Sequence, residues 1–190
     1  MAESAPRRMT VEEFFRWQDR QEDLYELVEG IPVKRHRMMT GASHQHDRVV
    51  VNIIASLVNQ LGDGPCRPTT ADIAFRTRID SIRRPDVTVE CADLVRNAYE
   101  SLQPRLVVEV LSPSTTSIDQ ILKLDEYKRH PTLAYILLVE TAEPLATLYA
   151  RGEGGDWEST NYAGLEAGID LPAIGAVLIL AEMYRGLTFP

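Results

Sequence analysis

Cysteine is scarce in this 190-residue chain, which has only Cys66 and Cys91. The two make no metal-ligand spacing and no disulfide framework, so a reducing cytoplasm is the expected compartment. No apolar run approaches the ~18 residues of a membrane span, and no membrane association is expected. No apolar stretch follows Arg7 and Arg8, so the first residues are not expected to act as a signal peptide. Repeats, low-complexity tracts and long linkers are missing as well. Positive charge is not in excess: 20 Lys and Arg stand against 28 Asp and Glu, a net charge of −8. That balance excludes a protein that coats nucleic acid by bulk electrostatics. It leaves room for an enzyme that meets DNA through a local basic patch and bridging metal ions.

The composition that remains, 44% hydrophobic and 25% charged, is that of a globular domain. Size scaling lets about 70% of the chain's surface be buried. One domain over 1–190 is expected, with 1–8 flexible.

Thr10-Val11-Glu12-Glu13 reads as a capping box, with Met9 and Phe14 as its hydrophobic staple, and opens a helix through Trp17. Two short strands follow over 24–33, meeting at Glu29-Gly30, with Pro32 pushing the second toward an edge. His46, Val50, Ile53, Ile54, Leu57 and Leu61 recur at helical spacing and predict the buried face of a helix from Ser43 to Leu61. Strands are expected over 71–78, 85–90, 105–111 and 133–140, and a hairpin around Gly152 to Gly155. A helix over 118–129 stops before Pro131, with Ile121 and Leu122 expected to face the core. A short last helix is expected within 178–185. Strand–helix–strand in the middle, with hairpins around it, predicts an α/β domain with a mixed sheet.

Two carboxylates occupy apolar surroundings. Asp86 opens Pro85-Asp86-Val87-Thr88-Val89, and Glu109 interrupts Leu106-Val107-Val108-Glu109-Val110-Leu111, a run suited to a central strand covered on both faces. A lone buried carboxylate costs several kcal/mol or is protonated. A divalent cation held by both, on adjacent strands, removes that cost. The alternative is that each pairs with an arginine or caps a turn.

Several segments in order resemble the putative restriction endonuclease family of bacterial proteins, within the PD-(D/E)XK nuclease superfamily. They are Tyr25-Glu26-Leu27-Val28-Glu29-Gly30, His46, Arg84-Pro85-Asp86-Val87, Val107-Val108-Glu109-Val110-Leu111-Ser112-Pro113-Ser114-Thr115, Lys123 and Tyr127. The resemblance implies a restriction-endonuclease-like α/β fold, a central mixed sheet flanked by helices. It also implies cleavage of DNA phosphodiesters with Mg²⁺ (or Mn²⁺). Asp86 and Glu109 take the places of the two superfamily acids. The superfamily lysine, two residues past the second acid, is here Leu111, and the family pattern moves it to Lys123, with Tyr127 one turn on.

On that reading Asp86, Glu109 and Lys123 are the catalytic set. Asp86 and Glu109 hold metal, with Glu26 as a further ligand, and His46 and Tyr127 are further site candidates. His46 reads equally as a packed core histidine. Ser112, Ser114 and Thr115 either contact phosphate or cap the next helix. Arg76, Arg78, Arg83 and Arg84 form the densest basic cluster, with Arg83 and Arg84 assigned to DNA. A homodimer is expected, with the apolar segment Leu178 to Phe189 as a candidate contact. Two alternatives stand beside this reading. One is a catalytically silent nuclease fold that binds DNA or a protein partner. The other is an unrelated metal hydrolase of small phosphate esters.

Overall fold

Thr10 starts the chain's first helix, α1 (Val11–Gln18), with the full capping box: its hydroxyl accepts from the Glu13 N–H while the Glu13 carboxylate accepts from the Thr10 N–H. The computed structural model describes residues 7–35, 43–93, 95–111 and 117–189. Strands β1 (Tyr25–Val28) and β2 (Ile31–Lys34) form the expected hairpin. Glu29 and Gly30 at its turn have φ of 49° and 80°, a region that glycine enters freely. A Cβ on Gly30 would also come within 3.3 Å of the Met9 carbonyl oxygen.

Helix α2 (His44–Leu61) is capped by Ser43 and buries Val49, Ile53 and Leu57, with Val50, Ile54 and Leu61 packed partly beside them. Then come β3 (Arg67–Thr70), β4 (Phe75–Arg78), β5 (Ser81–Arg83), β6 (Val87–Glu90) and β7 (Pro104–Leu111). Helix α3 (Ser117–Arg129) carries the chain over to β8 (Tyr135–Glu140), which pairs parallel with β7. Strands β9 (Leu145–Arg151) and β10 (Trp157–Ala163) complete a six-stranded mixed sheet of order β10-β9-β8-β7-β6-β3. A second sheet, β2-β1-β5-β4, lies in the first half of the chain.

Alternation along β7 decides where the chemistry sits. Leu106, Val108 and Val110 join the large core beneath α2, whereas Val107 packs with Tyr127 of α3. Residues i and i+2 of a strand share a face, so Glu109 points to the α3 side with Val107.

Several expectations are corrected. Of the strand expected over 71–78 only the second half is strand, as β4, after a turn that follows β3, a strand not expected from the sequence. The last helix expected within 178–185 is present as the one-turn α4 (Leu180–Met183), but its first two residues instead end β12 (Ala176–Ile179), which pairs with β11 (Gly168–Leu171) as a hairpin. Leu178, Leu180, Met183 and Tyr184 lie in the chain's own core, so these four side chains of the expected dimer contact are turned inward. Cys66 and Cys91 are joined as a disulfide. Arg67 pairs with Glu90, so the cysteines stand one step further along the β3–β6 ladder, facing each other. The cysteine content therefore gives no argument for a reducing compartment. Ile121 and Leu122 are 65% and 52% exposed rather than in the core, because α3 turns its charged face inward. Ser112, Ser114 and Thr115 lie outside the described residues, as do 1–6 of the segment expected to be flexible.

Candidate active site

The β6–β7 register places Val87 opposite Val108. One step further, Asp86 stands across from Glu109, and opposed residues of an antiparallel pair share a face. Both side chains are buried. The Val110 N–H donates to Asp86 Oδ2 at 2.8 Å, tying the acid to the neighbouring strand.

Their environments differ. Arg35 donates to Asp86 Oδ1 at 2.6 Å, and His46 Nε2 lies 3.3 Å from Oδ2. Burial pushes the Asp86 carboxyl up, but the His46 hydrogen bond and the charges of Arg35 and His46 outweigh it and hold it below the usual range. Burial likewise pushes Glu109 up; the Lys123 ammonium opposes this, but the charges of Asp86 and Glu26 add to it, and Glu109 stays above the usual range. Tyr127, stacked on Phe75, donates its hydroxyl to Glu109 Oε1 at 2.5 Å. Burial and the Glu109 charge keep that phenol protonated.

Lys123 comes from α3 with its Nζ 3.5 Å from Glu109 Oε1, 3.6 Å from Glu26 Oε1 and 3.6 Å from Asp119 Oδ2. The i,i+4 pair with Asp119 is therefore one of three contacts. Burial lowers the Lys123 pKa, but the Glu109, Glu26 and Asp119 charges raise it overall, so the ammonium keeps its proton.

Glu26 accepts from Arg83 Nη1 (3.1 Å) and from the Arg84 N–H (3.1 Å) as well as facing Lys123. Among the described residues, no three His, Cys, Asp or Glu side chains cluster as a metal's ligands. The structure thus brings Asp86 and Glu109 together and leaves Glu26 one ammonium away.

Arg83 and Arg84, expected on the DNA backbone, are 2% and 3% exposed. Arg83 is committed to Glu26 and Glu126, and the Arg84 guanidinium donates to the carbonyls of Tyr25, Ala71 and Asp72. They build the site instead of facing solvent. Arg76 and Arg78 are more open but are paired with Glu100 and Glu12, and with Glu29 and Asp80.

The donor set fits a hard divalent ion. Glu109, Glu26, Asp119 and Glu126 form one ion-pair network with Lys123 and Arg83, and beside it Asp86 is paired with Arg35 and His46. Burial, with the neighbouring charges of Asp86 and Glu26, holds the Glu109 carboxyl above its usual range, and a divalent ion would relieve that crowding of buried carboxylates. Sequence reasoning missed Arg35, Glu126 and Thr77. Glu126 was detectable, because Lys123, Glu126 and Tyr127 stand at i, i+3 and i+4 and therefore on one helix face.

A family model described as "Putative restriction endonuclease" matches residues 11–181. The chain belongs to this family, Uma2. An uncharacterized protein of Synechocystis sp., slr1290, is 32% identical over 184 residues, covering 96% of this chain and 94% of that protein. The fold is shared with the crystal structure of a putative nuclease belonging to DUF820 from Anabaena variabilis. That likeness has a TM-score of 0.70 at 16% identity, over 93% of this chain and 97% of the other. The Uma2 match runs from the first residue of α1 to within α4, so it spans both sheets and every site residue named above. No helix among the described residues is long and apolar enough to cross a membrane.

Proposed function

We propose that this Uma2 protein is a metal-dependent endonuclease that hydrolyses DNA phosphodiester bonds with Mg²⁺ or Mn²⁺. The observation that carries the reading is the facing pair Asp86–Glu109 with Lys123 Nζ 3.5 Å from Glu109. Asp86 and Glu109 would hold the ion, which when bound supplies charge to the phosphate and lowers the pKa of water. The chain's own groups do the rest. Arg35, His46 and the Val110 N–H fix Asp86 as an anion. The Tyr127 phenol keeps its proton and orients Glu109. Lys123 stays charged, which suits a fixed cation at developing phosphate charge and not a base. DNA as substrate, a homodimer offering one site to each strand, and a cytoplasmic location belong to the same proposal.

Nicking of supercoiled plasmid in Mg²⁺, Mn²⁺ or chelator tests it, with Asp86→Ala as control. Cleavage that needs metal and is lost in the variant is the expected result; metal-independent or equal cleavage by both overturns it. One observation favours a second reading, a silent fold that binds DNA or a protein: Arg35 Nη2 already sits 2.6 Å from Asp86 Oδ1. Retained duplex binding without cleavage in either metal would select that reading.

A further inference from the structure

Helix α3 exposes two of its apolar side chains and buries two of its charged ones. Ile121 and Leu122 face solvent, while Lys123, Glu126 and Tyr127 are turned inward. Lys123 and Tyr127 reach Glu109; Glu126 reaches elsewhere. It is 8% exposed, and Arg83 grips it with two parallel bonds, Nε to Oε2 at 2.8 Å and Nη2 to Oε1 at 2.7 Å. Thr77 adds a hydroxyl to Oε2 at 2.7 Å. The remaining arm of Arg83, Nη1, donates to Glu26 Oε2, and Glu26 Oε1 faces Lys123. The chain of contacts Lys123–Glu26–Arg83–Glu126 thus leaves α3 and returns to it three residues later.

We infer that Glu126, acting through Arg83 and Glu26, is a positioning residue that sets where the Lys123 ammonium lies against Glu109. A lysine is a point charge on a four-carbon stem with little geometric preference of its own. An Arg–carboxylate fork has a fixed plane. The closed ring transfers the precision of the Arg83–Glu126 fork to the flexible lysine. The kinetic part of the inference rests on the hydrolase reading above, while the placement of Lys123 does not.

The test compares Glu126→Gln with the wild-type protein and with Val139→Ala, a core variant destabilised on the α2 side of the sheet. Acylation of Lys123 by an amine-reactive ester is followed by peptide mass spectrometry, with circular dichroism and melting as fold controls. In Glu126→Gln, Lys123 should label several-fold faster, whereas Val139→Ala should label at the wild-type rate despite a lower Tm. Arg83→Lys, which keeps the charge but loses the fork, should behave as Glu126→Gln does. In the plasmid assay, Glu126→Gln should lose kcat about 10–100-fold, the usual cost of losing the group that orients an active side chain, with KM nearly unchanged. Wild-type labelling in Glu126→Gln, or equal acceleration in Val139→Ala, overturns the inference. If the wild-type protein cleaves no phosphodiester, the hydrolase reading falls while the labelling result still decides the placement of Lys123.

Discussion

Asp86 and Glu109 face each other across the β6–β7 ladder, yet their carboxyls are pushed in opposite directions, Asp86 below the ordinary range and Glu109 above it. The difference comes from their partners. Asp86 has Arg35, His46 and a backbone N–H, whereas Glu109 shares Lys123 with Glu26 and Asp119.

That asymmetry predicts a metal-dependent reversal at Glu109. A carboxyl whose folded pKa lies above its unfolded value gives stability below the unfolded value, about 4.3, and loses it as pH rises through the folded one. At pH 8 in chelator, Glu109→Gln should therefore melt at or above the wild-type temperature. Adding Mn²⁺ should raise the wild-type Tm, by about 2.7 kcal/mol equivalent at a hundredfold excess over Kd, and leave the variant unmoved. Thermal melts with and without Mn²⁺ check both signs.

Lys123→Met should abolish plasmid cleavage. It should also destabilise, because the substitution strands Glu26 and Glu109 without their shared cation, and breaking a buried pair costs about 3–5 kcal/mol. Urea denaturation measures this cost. A Tm equal to wild type would mean that the ammonium is solvated and not held between the acids.

His46 carries the pH signature of the Asp86 side. Burial lowers its pKa, but the hydrogen bond and charge of Asp86 raise it above 6.5 overall. Its contribution to stability is complete below the unfolded value and is lost as pH rises through the folded one. The Tm gap between wild type and His46→Gln should thus be larger at pH 5.5 than at pH 8.5. A gap independent of pH would contradict the His46–Asp86 link.

The Cys66–Cys91 bond closes a 25-residue separation, for which chain entropy gives about 3.5 kcal/mol. Incubation with dithiothreitol, or Cys91→Ser, should lower the Tm by several degrees. Two free thiols titrated in the native protein would show that the bond is not formed.

Motif order made Asp86, Glu109, Lys123 and Tyr127 legible, because each belongs to a short segment whose neighbours fix its element. The apolar run around Glu109 gave the central strand, and i,i+4 spacing put Lys123 and Tyr127 on one face. The arginine partners of Asp86 and Glu126 were not legible. Arg35 reaches Asp86 over 51 residues and Arg83 reaches Glu126 over 43, distances at which no periodicity operates. Arg83 and Arg84 illustrate the same limit, since a basic cluster in sequence reads as surface until burial assigns its partners. Ile121 and Leu122 failed for a different reason. Apolarity normally decides which face of a helix goes inward, but on α3 the buried carboxylates need cations and donors, and the charged face went in. Cys66 and Cys91 were invisible as a pair because β3, which sets them opposite each other, was not expected at all.

The site spans a seam between the two sheets. Glu26 and Arg83 belong to the four-stranded sheet, Glu109 to the six-stranded one, and α3 ties them together through Lys123 and Glu126. Glu109, Lys123 and Tyr127 sit on a single β–α stretch of chain, with 18 residues between the partners of the Tyr127–Glu109 bond, against 57 for Glu26–Arg83. Docking of one sheet on the other is therefore what completes the charge network, and a partial opening of the seam would disarm the site while leaving each sheet's own hydrogen bonds intact. Under rising denaturant, loss of activity should precede loss of secondary structure, making activity the more sensitive gauge of how the two halves of this molecule are joined.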